Sequence, residues 1–433
     1  MTIPTQTTQD TAHIQVTGGR RLSGRVQVQG SKNIALHLYA AALATDTPTA
    51  LERCPDILDT SVCAAILRHT GSEVAVDQGW FRVTPTSRPQ SLVHPVLGRR
   101  VRTTVVLAAA LLARTGRAVF PAPGGDAFCP RLIDRHLAAM KAAGADVLCE
   151  DNGFRATCAM RGVRAFTTDV NTPYGPSLGA TVTALLLAAR AEGTSLISHP
   201  SVEPEVVETA RFLEQGGAQI EWDDEGVHVT GTSHLTGGTF AVAGDRIEAG
   251  TMIMATAATG GDVQLDGITV ADLPEGLRHV LADAGIALTA RSGGLASSSG
   301  PLEAVEAATG PHPGLPTDTA PQLAAMLTQA RGVSLVHERI YPRRDTHITA
   351  LRAFGAEVSA QGSSARVVGP SPLRATAVEA GDIRAVTALL IAALAAEGTS
   401  TIRGMYHLRR GYGHLLDNLA TLGADITLDQ ETN

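Results

Sequence analysis

Six stretches of this chain are apolar nearly all round: 35–44, 105–114, 181–190, 251–258, 320–331 and 384–396. The run VTALLLAA over 182–189 has no polar face to offer water, so these stretches predict helices buried in a domain interior. Each is followed by a small turn and a β-like run, as in GDVQL over 261–265 and EGTSTI over 397–402. A second helix then ends in glycine and a strand start, at Gly71, Gly144, Gly217, Gly285, Gly355 and Gly423. Glycine suits that place because helices commonly close on a left-handed residue, where a Cβ is costly. Strand-like runs such as GRVQVQ over 24–29 alternate, with one polar face.

The repeat recurs every ~70 residues, too long for a solenoid unit and right for a subdomain of two helices on a sheet. Six copies in 433 residues predict two α/β domains of three repeats, with helices inside, sheets outside and a seam at 240–246. Residues 32–243 are expected to form the first domain. The opening strands, over 15–29, are expected to pair with the C-terminal half, so 14–31 joins 244–433 in the second. Residues 1–13 read as a disordered tail.

Composition narrows the class. A hydrophobic fraction of 44% and a charged fraction of 18% are those of a soluble globular protein. With aromatics at 3%, Ala, Val and Leu must do the packing. No apolar run reaches the ~20 residues of a membrane helix, and a net charge of −7 argues against a nucleic-acid partner. The five cysteines, Cys54, Cys63, Cys129, Cys149 and Cys158, form no CxxC pair, which indicates neither a disulfide framework nor a zinc site. The first residues, MTIPTQTTQDTAHI, lack the basic start and apolar core of a signal peptide. The expected compartment is the reducing cytoplasm.

Candidate chemistry concentrates at loop-to-helix junctions. The loop PAPGGDAFCPRLIDRH over 121–136 places Asp126, Cys129, Arg131, Asp134, Arg135 and His136 after a Pro-Gly-Gly turn; it reads as a site or as a solvated loop. Lys32, in GSKN over 30–33, opens the first buried helix beside Asn33. A cation there opposes the helix dipole unless an anion, such as a phosphate, is bound by the amides and the lysine together. Arg102, Arg131, Arg246, Arg344, Arg384 and Arg410 recur at matching junctions. Singly each fits a surface ion pair; together they suggest a cationic cleft for a small, doubly anionic substrate. Asp126 and Asp318 sit in turns suited to acid–base work, although Asp318, in GLPTD, equally fits a helix N-cap. His136, His347 and His407 are candidate relays. With no P-loop, GxGxxG or HExxH, neither metal nor cofactor is expected.

Taken in order on a sixfold repeat, these motifs resemble the enolpyruvyl transferases, from about residue 14 to 426. The motifs that carry the likeness are GSKN, PGGDAFCPRLIDRH, SLGAT over 177–181, EPEVVETA over 203–210, DRIEAGT over 245–251, GLPTD, DIRA and YHLRRGY. The branch acting on UDP-N-acetylglucosamine in peptidoglycan synthesis is more similar than the shikimate branch. The resemblance implies a two-domain inside-out α/β barrel of three βαβαββ repeats per domain, closing over phosphoenolpyruvate and a nucleotide with no metal. Carried over position by position, Lys32, Arg131 and Arg410 would contact the phosphate, with Asn33 beside them. Arg344 and Arg384 would hold the carboxylate, Arg102 would fasten the loop, and Asp318 would be the base. Asp126 stands where most members have the cysteine that fosfomycin alkylates; some carry aspartate, so insensitivity to the drug is expected. Nucleotide contacts would come from Arg131, Leu132, Ile133, Asp134, Arg135, Ser177, Leu178, Gly179, Asp318 and Ile340.

The departures from the family pattern fall around the acceptor. Where the family has Arg-Pro-(apolar)-Asp this chain has Arg131-Leu132-Ile133-Asp134, Gly175 replaces a basic residue, Pro342-Arg343 replaces an acidic or polar pair, and Arg409 replaces an aspartate. The expected acceptor is the 3-hydroxyl of UDP-N-acetylglucosamine. The alternative is a paralogue acting on the 3′-hydroxyl of UMP, or a similar nucleotide, in nucleoside-antibiotic synthesis. A third reading, an inactive homologue that only binds UDP-sugars, predicts losses among Lys32, Arg131, Asp318 and Arg410, and none is lost.

Overall fold

The computed structural model describes residues 12–125, 132–158 and 162–430. The chain divides into two compact units: an inserted unit, Gly30–Val242, and a terminal unit of Met1–Gln29 with Ala243–Asn433. The seam thus falls two residues earlier at the first crossing and one earlier at the second than the sequence suggested. Each unit has three repeats.

In the inserted unit the apolar helices Lys32–Ala44, Thr104–Thr115 and Leu178–Ala188 pack on one another. Every residue of Lys32–Ala44 is buried, which is why no polar stripe marks it. In the terminal unit Arg246–Ala258, Ala320–Leu327 and Ile383–Ala395 do the same. Burying each leucine of such a helix stabilises the fold by about 2 kcal/mol, and the many alanines let backbones approach closely. Each second helix closes with the expected glycine in the left-handed region, from Gly71 at φ 96° to Gly423 at φ 102°.

The sheets share one plan. In one sheet of the terminal unit, Ser23–Gln27 lies parallel to Asp262–Asp266, which pairs antiparallel with Gly294–Ser299, and that with Ile286–Arg291. The same order recurs with Glu306–Ala308, Gly332–His337, Ser364–Gly369 and Glu357–Gln361. In the inserted unit it recurs with Thr167–Asp169, Thr194–Ser198, Gly226–Thr230 and Gln219–Asp223. Such strands bury alternate residues, as Val263 and Leu265 do in Asp262–Asp266, so one face meets the helices and the other is more open to water.

Two further sheets, like that of Ser23–Gln27, are closed by strands from far along the chain. Ala12–Thr17 lies between Thr399–Arg403 and Asp425–Gln430, antiparallel to both. Thr239–Ala241 lies parallel to Thr49–Glu52. Ala12 and His13, assigned to the tail from sequence, therefore belong to a strand: Ala12, Ile14 and Val16 are all buried on its inner face. The short, polar-flanked run hid that alternation. Among the described residues no helix is long and apolar enough to cross a membrane.

Candidate active site

The first turns of the interior helices carry the chemistry in both units. In the inserted unit, Ser31 caps the helix Lys32–Ala44 by accepting from the Ile34 N–H at 3.4 Å. Lys32 comes next, buried, with Nζ 3.0 Å from Asp59 Oδ2. Asp59 is delivered by the first turn of the helix Leu58–His69. One turn on, Cys63 lies against Asp59, Lys32 and Thr103, and burial, then Asp59, push its thiol far above the ordinary range. It is a protonated core group and no nucleophile.

Thr103 precedes the second interior helix and adjoins Arg102, whose buried Nη2 donates to no described residue. Burial, and next the charge of Arg102, hold His37 at about 4; its Nδ1 is 2.9 Å from the Asn33 carbonyl. At the third helix, Ser177 Oγ accepts from the Ala180 N–H at 3.3 Å. The His136 ring covers Gly179 so closely that a Cβ there would stand 2.8 Å from Cε1. Burial takes His136 to about 4, with Nδ1 2.7 Å from Thr183 Oγ1. Enclosed and hydrogen-bonded to Thr183, the His136 ring packs against the start of the third helix. The starts of all three helices are thereby linked, and their dipoles favour an anion.

Beyond this end, Leu132 is 67% exposed. Ile133 precedes the helix Asp134–Ala142, and Asp134 pairs loosely with Arg135 at 3.7 Å. Tyr174 stands exposed on a tight hairpin in which Asn171–Thr172 pairs with Gly175–Pro176, just before Ser177. Asp126, Cys129 and Arg131 lie outside the described residues.

The terminal unit gathers a second set. Asp318 sits on a single turn of 3-10 helix, Thr317–Thr319, after Pro316. It does not cap the helix that follows; its carboxylate accepts from Arg344 Nη2 at 2.9 Å and from Arg384 Nη2 at 2.7 Å. Both guanidiniums are also held at the other terminal nitrogen. Arg344 Nη1 donates to Thr317 Oγ1 at 2.7 Å, and Arg384 Nη1 donates to the Tyr412 hydroxyl at 2.7 Å. Thr317 in turn donates to Glu338 Oε2 at 2.8 Å, while Glu338 Oε1 accepts from Thr309 Oγ1 and the Ile340 and Tyr341 amides. Burial alone would lower the pKa of Arg384, but Asp318, Tyr412 and Asp245 outweigh it and hold it above the usual arginine value.

Asp382 caps the helix Ile383–Ala395 by accepting from the Arg384 and Ala385 amides at 2.8 and 2.9 Å. Asp245 does the same for Arg246–Ala258. A carboxylate at the cap thus offsets the cation that follows it in the first turn. Arg410 is buried on the helix Met405–Gly411, with Cζ 5.8 Å from the Tyr406 ring centre. Burial brings His347 to about 4, and His407 packs edge-on against Tyr406. Asp59, Glu338 and Tyr412 had no signal in sequence spacing, since each serves its cation from another element.

Within the terminal unit the structure therefore brings Asp318, Arg344 and Arg384 into direct contact. Within the inserted unit it places Lys32, Asn33, Arg102 and Ser177–Gly179 at linked helix starts. The inserted unit's set can bind a phosphate; the terminal unit's set can bind a carboxylate and supply an acid–base carboxyl.

The model of the family described as EPSP synthase (3-phosphoshikimate 1-carboxyvinyltransferase) matches residues 16–419. The chain is 38% identical to a UDP-N-acetylglucosamine 1-carboxyvinyltransferase of Novosphingobium aromaticivorans, covering 95% of this chain and 98% of that protein. It is 35% identical to UDP-N-acetylglucosamine 1-carboxyvinyltransferase 2 of Geobacillus kaustophilus, over 97% of each. The crystal structure of the enolpyruvyl transferase NikO from Streptomyces tendae superposes with a TM-score of 0.87 at 29% identity, covering 97% of this chain and 99% of that one. An EPSP synthase of Acinetobacter baumannii shares the fold, with a TM-score of 0.75 at 16% identity and coverage of 97% and 100%. With the inside-out α/β architecture and the buried arginine–carboxylate array in place, the chain belongs to the EPSP synthase family of enolpyruvyl transferases.

Proposed function

We propose that this enolpyruvyl transferase moves the enolpyruvyl group of phosphoenolpyruvate to the 3-hydroxyl of UDP-N-acetylglucosamine, releasing phosphate, in the cytoplasm. The observation that carries the chemistry is the Asp318–Arg344–Arg384 array: a carboxyl fit to be a base beside two buried cations fit to hold a carboxylate. The acceptor reading is supported by the names of relatives such as those of Novosphingobium and Geobacillus.

In this reading Lys32, Arg131 and Arg410 engage the phosphate, and Arg344 and Arg384 the carboxylate of phosphoenolpyruvate. Asn33 and Arg102 assist. Asp318 takes the proton of the acceptor hydroxyl as its oxygen bonds to C2, and Asp126 gives a proton to C3. The resulting tetrahedral phospho-ketal loses phosphate from C2 and a proton from C3, which restores the double bond. Fixed cations contribute by placing charge where it develops and by holding geometry. A carboxyl serves as the proton donor at neutral pH when a dry site raises its pKa. Leu132, Ile133, Asp134, Arg135, Ser177, Leu178, Gly179 and Ile340 are assigned to the nucleotide.

A second acceptor, the 3′-hydroxyl of UMP or a similar nucleotide in antibiotic synthesis, is favoured by one observation. The departures from the family pattern, Gly175 beside Tyr174, Pro342-Arg343 and Arg409, cluster at positions assigned to acceptor recognition. The test runs UDP-N-acetylglucosamine and UMP side by side with phosphoenolpyruvate, following phosphate release and product mass. Phosphate released only with UDP-N-acetylglucosamine, and a product heavier by one carboxyvinyl group, are expected. Turnover with UMP alone selects the second reading; binding of UDP-N-acetylglucosamine without product on either selects an inactive homologue.

A further inference from the structure

We propose that Asp318 is the internal occupant of the carboxylate seat formed by Arg344 and Arg384, and that an incoming substrate carboxylate displaces it and so releases the base. The inference rests on the reading that these arginines serve phosphoenolpyruvate. One Asp318 oxygen takes Arg344 Nη2 at 2.9 Å and the other takes Arg384 Nη2 at 2.7 Å. A substrate carboxylate offers the same two oxygens at the same separation, so the two compete for the same pair of donors.

The structure also fixes which group yields. The arginine side chains are 3% and 6% exposed, against 23% for Asp318. Thr317, backed by Glu338, holds Arg344 from behind, and Tyr412 holds Arg384. Both guanidiniums stay aimed while Asp318, on one short turn, can rotate about its side-chain bonds. Two carboxylates cannot share the seat while both are ionised, because like charges at that range repel strongly. While seated, each Asp318 oxygen accepts from a guanidinium at 2.7–2.9 Å, and the two cations beside it weaken it as a base. Displacement turns it toward other partners. Base action is thereby tied to the presence of the group that needs it, and the acceptor is not deprotonated in its absence.

The test measures binding calorimetrically, without acceptor, for the parent protein and for Asp318→Asn and Asp318→Ala, with thermal unfolding as a check on folding. Loss of the competing charge should tighten phosphoenolpyruvate about tenfold or more, the scale of one charge-assisted hydrogen bond, while turnover collapses. Methyl phosphate, which lacks a carboxylate, should bind the parent protein and both variants alike. Unchanged or weaker phosphoenolpyruvate binding in a folded variant overturns the proposal, as does equal tightening of methyl phosphate, which would mean a general field effect. If one variant fails to fold, the other decides. Failure of the parent protein to turn over phosphoenolpyruvate with either acceptor overturns instead the functional reading beneath it.

Discussion

The ammonium of Lys32 lies 3.0 Å from a carboxylate oxygen of Asp59, with both side chains almost wholly enclosed. Removing one member of a buried pair leaves an uncompensated charge and costs about 3 kcal/mol. Asp59→Asn keeps the shape and drops the charge, so it should lower stability by that order in urea denaturation. An anion that binds Lys32 should restore part of the loss. Phosphoenolpyruvate should therefore raise the melting temperature of Asp59→Asn more than that of the parent protein; an equal rise would detach Lys32 from the substrate.

Gly179 offers no space. A Cβ would come within 2.9 Å of both Cε1 and Nε2 of His136, a ring fixed by Thr183. Gly179→Ala should destabilise the protein by about 1–3 kcal/mol through overpacking. It should also raise the KM for the acceptor more than that for phosphoenolpyruvate, since the start of this helix is assigned to the nucleotide. Steady-state kinetics with each substrate varied in turn checks the split.

Burial, with Asp245 beside it, lifts the Glu248 carboxyl from 4.5 to about 8. Below the unfolded value the group is protonated in both states and costs nothing. As pH rises toward the folded value the unfolded chain ionises first, so stability is lost through that window and then levels off. Glu248→Gln still accepts from the Gln29 N–H, which now meets Oε2 at 2.8 Å, and should remove the loss. Its advantage over the parent protein should grow across the window by up to roughly 5 kcal/mol, at about 1.4 kcal/mol for each tenfold difference in proton affinity between the two states. Denaturation curves at several pH values test this, and a constant difference would refute it.

The family resemblance aligns Asp126 with the cysteine that fosfomycin alkylates in most members. The parent protein should show no time-dependent inactivation by the drug, because a carboxylate is a poor nucleophile toward an epoxide next to a thiolate. Asp126→Cys should keep measurable turnover and become sensitive; Asp126→Ala should slow turnover strongly. Inactivation of the parent protein would point to Cys129.

The fold was readable because it repeats. Apolar runs without a polar stripe marked the interior helices, and six glycines marked the ends of their partners. The residues of the site were readable where they follow a helix cap, as Lys32 follows Ser31 and Arg384 follows Asp382. What escaped is the set that serves those cations from another element. Asp59 belongs to an ordinary amphipathic helix, Tyr412 ends a short one, and Glu338 lies past the end of a strand. Their roles arise from packing between segments, which no local period records. The same holds for Asp318: its sequence setting allowed a helix cap, and only the arrival of two arginines turned its carboxylate elsewhere.

The strand Ala12–Thr17 sits between Thr399–Arg403 and Asp425–Gln430, and this has a bearing on how the molecule is made. Both neighbours leave the ribosome long after it does, so that strand waits unpaired while everything between them is synthesised. The segment Gly30–Val242, by contrast, holds every strand of its own sheets and can fold while the remainder is still being translated. A nascent chain stalled well beyond residue 242 should already resist protease over that span. Its strand Ala12–Thr17 should stay open to cleavage until Thr399–Arg403 and Asp425–Gln430 emerge.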